Sequence, residues 1–289
     1  MCARARRPGA RAGMRDGADA GQRECLVCFQ AGKDIQIVTA ENVCGPVCGY
    51  SREDLRLRSA WATSEAAKER RAAEHLAGKT ARRSTLFYGG RIHALRGEHD
   101  ASGRAQLLAH ANATGFKIVN TCGPDPDTPL PAEVRALFRP FDVEMSDAEF
   151  CYSPLGQFEG DTDRYVPAIL FGCIPVMLTA TRYGGGVVPM ALPMEEHPQL
   201  TWADFAVLVS TDELGQLPAI LARVSARERM RMRHALARVW RRFLWTRVYG
   251  SYLGEDARED AFESLMDVLH ARAAAMPPLP PLPGERGAS

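Results

Sequence analysis

The sequence predicts an α/β domain, a parallel sheet wound with helices on both faces. Three observations lead there. Short β-rich runs alternate with helical runs over short connections between about residues 81 and 245. The strand candidates are nearly all apolar, as strands covered on both faces must be. Finally, 46% hydrophobic and 25% charged residues in a chain of 289 residues supply an ordinary globular core for one or two domains.

The elements follow in order. Residues 1–24 are Arg, Ala and Gly with nothing to build a core, and read as disordered. Ser84 to Tyr88 (STLFY) is a strand closed by Gly89-Gly90, and Arg104 to Ala113 is helical. Phe116 to Asn120 (FKIVN) is a strand stopped by Gly123-Pro124, and Glu133 to Phe138 is a short helix. Phe150 to Ser153 is a strand, Arg164 to Phe171 a helix and Ile174 to Leu178 a strand. Thr179 to Gln199, with Gly184-Gly185-Gly186, reads as a mobile loop. Phe205 to Val209 is the next strand and Glu213 to Val224 the next helix.

Two longer helices end the domain. Ala226 to Trp245 carries an apolar stripe of Met232, Leu236, Val239, Trp240 and Phe243, opposite a face rich in arginine. Asp256 to Ala274 carries Phe262, Leu265, Met266 and Leu269, and its acids are placed to meet those arginines. Complementary charge between two amphipathic helices is favoured over a nucleic-acid patch. The tail 276–289 is Pro-rich and suits polyproline II.

Charge and hydropathy exclude several classes. Lys plus Arg number 36 and Asp plus Glu 35, a net charge of +1, so no global field draws nucleic acid or anionic lipid. No run approaches the roughly 18 apolar residues of a membrane span. The first 22 residues have no apolar core of a secretory signal, and Asp16 and Asp19 disfavour a transit peptide. The chain as given is expected to be soluble.

Of eight cysteines, Cys151 and Cys173 lie in apolar runs and read as free buried thiols. Cys25, Cys28, Cys44 and Cys48 have roughly the spacing of a four-cysteine zinc site, which with the Arg-rich start would make a small binding module. The apolar Leu26 and Val27 and the lack of a close histidine argue against it. The seven histidines are dispersed. His93 and His99 flank the loop after the first strand as candidate acid or base, and Asn112-Ala113-Thr114 fits a glycosylation sequon.

The chemistry concentrates in Phe150 to Val176, FCYSPLGQFEGDTDRYVPAILFGCIPV. A strand ends at Ser153-Pro154, and a loop with Gly156 and Gly160 leads through Asp161-Thr162-Asp163 into a helix. Ligands of parallel α/β sheets bind beyond the carboxyl ends of strands. Helix-start amides suit a phosphate, and Arg164 in the first turn would add a fork of donors to a diphosphate.

These residues resemble exostosin-like glycosyltransferases, glycosyltransferase family 47. FCYSPLG, then an Arg eight residues before Gly172-Cys173-Ile174-Pro175-Val176, is the specific part. Cys28-Phe29 with Gly32-Lys33-Asp34-Ile35, Arg83 to Gly90 (RSTLFYGG), Leu192-Pro193-Met194-Glu195-Glu196 with Trp202, Leu217 to Leu221 and the Met230-to-Trp245 helix follow the family's order. The resemblance covers about residues 28 to 245.

It implies a GT-B fold of two Rossmann-like domains, of which this chain carries the donor-binding half with a truncated amino-terminal part. Residues 25–80 would be a remnant of the acceptor domain with a linker helix, and 81–275 the nucleotide-sugar-binding domain. The implied activity is inverting transfer of a hexose or pentose from a nucleotide-diphosphate sugar to a glycan or glycoprotein. The implied setting is the Golgi membrane, through an anchor that this chain lacks. The donor site would comprise Gly89, Gly90, Arg91, Ser153, Gly156, Asp161, Asp163, Arg164, Glu195 and Glu196. No cofactor and no metal is expected, because Asp161-Thr162-Asp163 lies in a polar loop. The catalytic base is expected from the acceptor side of the cleft. Two features depart from the family: only about 80 residues precede Arg83, and Pro167 stands where a ribose-binding acid is usual. A catalytically silent nucleotide-binding or interaction module is the alternative.

Overall fold

The structure is a computed structural model that describes residues 70, 73–75, 82–90, 92, 103–120, 141–154, 164–183, 186–249, 256 and 258–276. Residues 1–24, the four clustered cysteines, Arg91, His93, His99, the Glu133–Phe138 helix, Gly156, Asp161, Asp163 and the tail beyond Met276 lie outside them.

The strands are β1 (Ser84–Gly90), β2 (Phe116–Asn120), β3 (Ala148–Ser153), β4 (Ile174–Tyr183), β5 (Gly186–Pro189) and β6 (Val207–Ser210). They form one six-stranded sheet in which β2, β1, β3 and β4 are successive neighbours, and β4 also pairs with β5 and β6. Every pairing is parallel except β4 with β5. The parallel strands therefore run β2-β1-β3-β4-β6, a doubly wound order whose direction of winding reverses between β1 and β3. The α/β expectation holds. β1 keeps its two glycines inside the strand rather than ending before them.

The helices are α1 (Arg104–Leu108), α2 (Phe141–Asp147), α3 (Tyr165–Leu170), α4 (Leu217–Arg223), α5 (Ala226–Val239), α6 (Thr246–Tyr249) and α7 (Ala261–Ala275). Among the described residues none is long and apolar enough to cross a membrane. The sequence reading missed α2, whose seven residues FDVEMSD have no clear apolar period. Thr211–Gln216 and Trp240–Phe243 are 3-10 turns where longer α-helices were expected.

α3 connects β3 to β4 and is buried on nearly all sides through Tyr165, Val166, Ala168, Ile169 and Leu170. Pro167 is tolerated because it falls in the first turn, where the amide has no helical acceptor anyway. The helix ends in paired bonds from Gly172 N to Ile169 O (3.1 Å) and from Cys173 N to Ala168 O (2.9 Å). That ending needs the left-handed Gly172 (φ 65°), and a Cβ there would also run into the ring of His75 at 1.9 Å. Tyr165, Trp202, Phe205 and Phe243 interlock at centroid distances of 4.9–6.1 Å and pack α3 against the segment before β6 and the turn after α5.

Three expectations are corrected. Cys151 and Cys173 are not free thiols but a disulfide, with Cα atoms 5.6 Å apart. The reason is registry: Cys151 lies opposite Pro175 on the neighbouring strand, so Cys173, at the foot of β4, comes within bridging distance. Thr179–Gln199 is not one loop, because β4 continues to Tyr183 and pairs back with β5. On α7 the buried residues are Ala261, Ser264 and Val268, while Phe262 and Leu269 are 39% and 41% exposed. Small side chains let α7 approach closely, and of the expected stripe Leu265 still packs against the core.

Among the described residues the charge match expected with α7 comes from just beyond α5, from Arg242 in the Trp240–Phe243 turn and Arg247 in α6, whereas on α5 itself Arg229 and Arg233 pair with Glu149 and Arg231 with Asp204. Arg242 reaches Glu259 (3.3 Å) and Asp267 (3.9 Å), and Arg247 reaches Glu263 (2.7 Å). Asp260, fully buried, caps α7 by accepting from Glu263 N (3.0 Å) and also accepts from Arg247 N (2.9 Å).

Candidate functional site

The site is built where the winding reverses, at the carboxyl ends of β1 and β3. β1 ends Tyr88-Gly89-Gly90 and β3 ends Tyr152-Ser153, and the rings of Tyr88 and Tyr152 meet edge to face at 5.9 Å. The chain leaving β3 returns at Arg164, immediately before α3. Arg164 Nη1 donates to the carbonyl of Gly89, and the guanidinium lies 5.2 Å from the Tyr88 ring centroid. A Cβ at Gly90 would be 2.5 Å from Arg164 Nη2 and 2.7 Å from the Tyr88 hydroxyl, so a larger residue there would displace the Arg164 guanidinium from this position. Among the described residues Arg164 is thus held by one carbonyl and one ring, and a guanidinium has five N–H donors in a planar fork. Beside it Ser153 is 3% exposed, and its Oγ is buried without a hydrogen-bond partner among the described residues.

The structure therefore brings together four of the expected donor-site residues, Gly89, Gly90, Ser153 and Arg164. Helix α3 has only six residues, so the positive character of this place comes from the Arg164 guanidinium more than from a helix dipole. Arg91, Gly156, Asp161 and Asp163 are not described.

Glu195 and Glu196 are engaged elsewhere. Glu195 Oε2 accepts from Leu192 N at 2.8 Å and closes its own turn. Glu196 takes a two-pronged contact from Arg272 of α7, at 2.7 Å from Nε and 2.5 Å from Nη2, and these bonds hold its carboxyl below the usual carboxylate range. His197, unremarked in the sequence, is buried next to them. Its Nδ1 accepts from Gln199 N (3.1 Å), so Nε2 carries the proton and donates to Asp267 Oδ2 (3.0 Å). Burial pushes the imidazole below its ordinary value despite Asp267. This cluster fastens the segment after β5 to α7.

Sequence reasoning also missed Tyr88 as the platform for Arg164, although an aromatic directly before two glycines was a usable signal. Among the described residues no three His, Cys, Asp or Glu side chains converge as a metal site.

Fold and site together define a doubly wound α/β domain with a candidate anion-binding place at its switch point. Comparison with known proteins narrows the class. No family model matches the chain. Over 99 residues, 34% of this chain, it is 33% identical to a probable glycosyltransferase of Arabidopsis thaliana. Over 94 residues, 32% of this chain, it is 32% identical to each of two probable glucuronosyltransferases of Oryza sativa subsp. japonica. The chain is thus similar, over a third of its length, to plant glycosyltransferases. The matches span 17% of the Arabidopsis protein and 20% of each rice protein.

Proposed function

We propose that the described domain binds the donor of an exostosin-like glycosyltransferase of family 47, one that transfers a sugar from a nucleotide diphosphate to a glycan or glycoprotein with inversion. The observation that carries this reading is Arg164, anchored on Gly89 and Tyr88 at the switch point, where the neighbouring strand ends in the buried Ser153 Oγ, without a hydrogen-bond partner among the described residues. An arginine fork and a hydroxyl beside glycine backbone suit a diphosphate. The motif FCYSPLG with GCIPV and the glycosyltransferase names of the relatives support the sugar-nucleotide assignment over other diphosphates. The Cys151–Cys173 disulfide suits an oxidising secretory compartment such as the Golgi lumen.

The domain's part is to bind and orient. Neutralising the diphosphate favours its departure, while the base that activates the acceptor comes from the acceptor side of the cleft. No metal takes part in donor binding. Pro167, in place of the family's acid, favours a second reading, a nucleotide-binding module that performs no transfer.

Calorimetric titration with uridine and guanosine diphosphate sugars, in the presence of a chelator, tests donor binding. Binding without metal is expected, and its absence for every nucleotide sugar tried would sink the proposal. Acceptor-dependent release of nucleotide then separates transferase from silent module.

A further inference from the structure

We infer that the free edge of β5 recognises a hydroxyl-bearing ring of the bound nucleotide sugar through its main chain. This rests on the donor-site reading above. The placement follows from register. Ala180 of β4 pairs both with Pro189 of β5 and with Ser210 of β6, so β5 and β6 lie on opposite edges of β4. Val176 pairs both with Tyr152 of β3 and with Val207 of β6, so β3 is opposite β6 as well. β5 therefore shares an edge of β4 with β3. Ser153 lies opposite Met177, and Pro189 lies opposite Ala180, three positions further on. At about 3.3 Å per residue, β5 begins about 10 Å past the end of β3 and in line with it. It stands ahead of the strand end at Ser153.

The orientation of the edge follows from one hydrogen bond. Met190 N donates to Thr179 O at 2.7 Å, so residue 190 faces β4. Alternate residues of an antiparallel strand face the same partner, so Val188 and Gly186 also face β4, while Val187 and Pro189 face away. Among the described residues β5 pairs with β4 alone. Its free edge thus presents the Val187 N–H and C=O and the Pro189 C=O, one donor followed by two acceptors. Val187 is 56% exposed, and the strand carries no charged side chain. Carbonyls repel a phosphate, whereas hydroxyls both donate and accept and match such an edge. In a nucleotide sugar, hydroxylated rings flank the diphosphate on both sides: the ribose and the transferred sugar.

The test is calorimetry on the full chain and on its Val187→Pro, Val187→Ala and Arg164→Ala variants, using the nucleotide diphosphate and its sugar ester. Proline removes the edge N–H without touching a bond to β4, and edge strands accept it. Alanine removes the side chain and keeps the N–H. Val187→Pro is expected to weaken binding about fivefold to tenfold, the loss of about one hydrogen bond, and Val187→Ala less than twofold. A loss seen equally with the diphosphate alone identifies the ring as the ribose, and a loss confined to the sugar ester identifies it as the transferred sugar. Unchanged affinity in Val187→Pro while Arg164→Ala weakens binding overturns the edge assignment and leaves the donor site standing. No binding by the full chain overturns both. Hydrogen exchange at the Val187 amide reads the same contact without any substitution. Saturating sugar ester should slow it at least fivefold, and unslowed exchange overturns the inference.

Discussion

Arg82 and Arg164 sit at opposite ends of the same sheet, and each bonds main-chain carbonyls. Arg82, at the amino end, donates to Met145 O (2.9 Å), Ala148 O (3.1 Å) and Phe171 O (2.8 Å), tying together the ends of α2 and α3 and the start of β3. Arg164, at the carboxyl end, donates to Gly89 O and lies on the Tyr88 ring. Burial pushes the Arg82 guanidinium down to about 9, still charged at neutral pH. The difference separates structure from function on one framework. Donors committed to three carbonyls serve stability, whereas a fork held, among the described residues, by one carbonyl keeps capacity for a ligand.

The strongest way to break this comparison is at Arg82. Arg82→Met leaves three carbonyls without their charged donor and should cost about 4 kcal/mol of stability. Chemical denaturation measures it, and a loss below about 1 kcal/mol would show that Arg82 is no staple. Next in size is the disulfide, which closes a 22-residue separation carrying both Ser153 and Arg164. Replacing Cys151 and Cys173 by alanine should cost about 3 kcal/mol. Unaltered stability of the double variant would count against the bridge.

Arg164→Ala sharpens the contrast from the other side. Nucleotide-sugar binding should weaken by about 2 kcal/mol, while unfolding stability changes by less than about 1 kcal/mol. Calorimetry and denaturation on the same preparation give both values. A variant that loses stability and keeps affinity would place Arg164 with Arg82, as a structural residue.

Much of this arrangement was legible in the sequence because local chemistry and tertiary role agree. The runs STLFYGG and FKIVN are β-rich and end at glycine or asparagine, and both are strands. Arg164 was visible from its distance to GCIPV. Pairing between distant residues was not visible. The Cys151–Cys173 bridge depends on β3 and β4 being neighbours, and TATRY followed by glycines looks like a loop until β5 pairs with it. The α7 face was legible only in part: Leu265 of the expected stripe packs against the core, but Ala261, Ser264 and Val268 are the buried residues and Phe262 and Leu269 are exposed. Glu195 and Glu196 were assigned through motif order, and motif order does not show that Arg272 would occupy Glu196.

The amino end carries one further charge-dependent contact, and it sets the smallest expected effect. His75 is buried against Gly172, with Arg82 Nη2 donating to its Nδ1 at 3.4 Å and Nε2 unpartnered among the described residues. Burial, then the positive charges of Arg82 and of Arg233 on α5, lower its pKa from 6.5 to about 3. The folded state therefore holds a neutral imidazole that the unfolded chain would protonate. Stability from this group is complete above pH 6.5 and declines as the pH falls towards 3, because the unfolded state then binds the extra proton. The slope approaches about 1.4 kcal/mol per pH unit within that window. His75→Gln removes the titration, so the difference in stability between parent and variant should shrink from pH 7 to pH 5 by about 2 kcal/mol. Carboxylates elsewhere titrate in both proteins and cancel in this difference. Parallel pH profiles for parent and variant would show that His75 is protonated, or exposed, in the folded chain, and the amino end would then have no neutral histidine packed beneath its arginine staple.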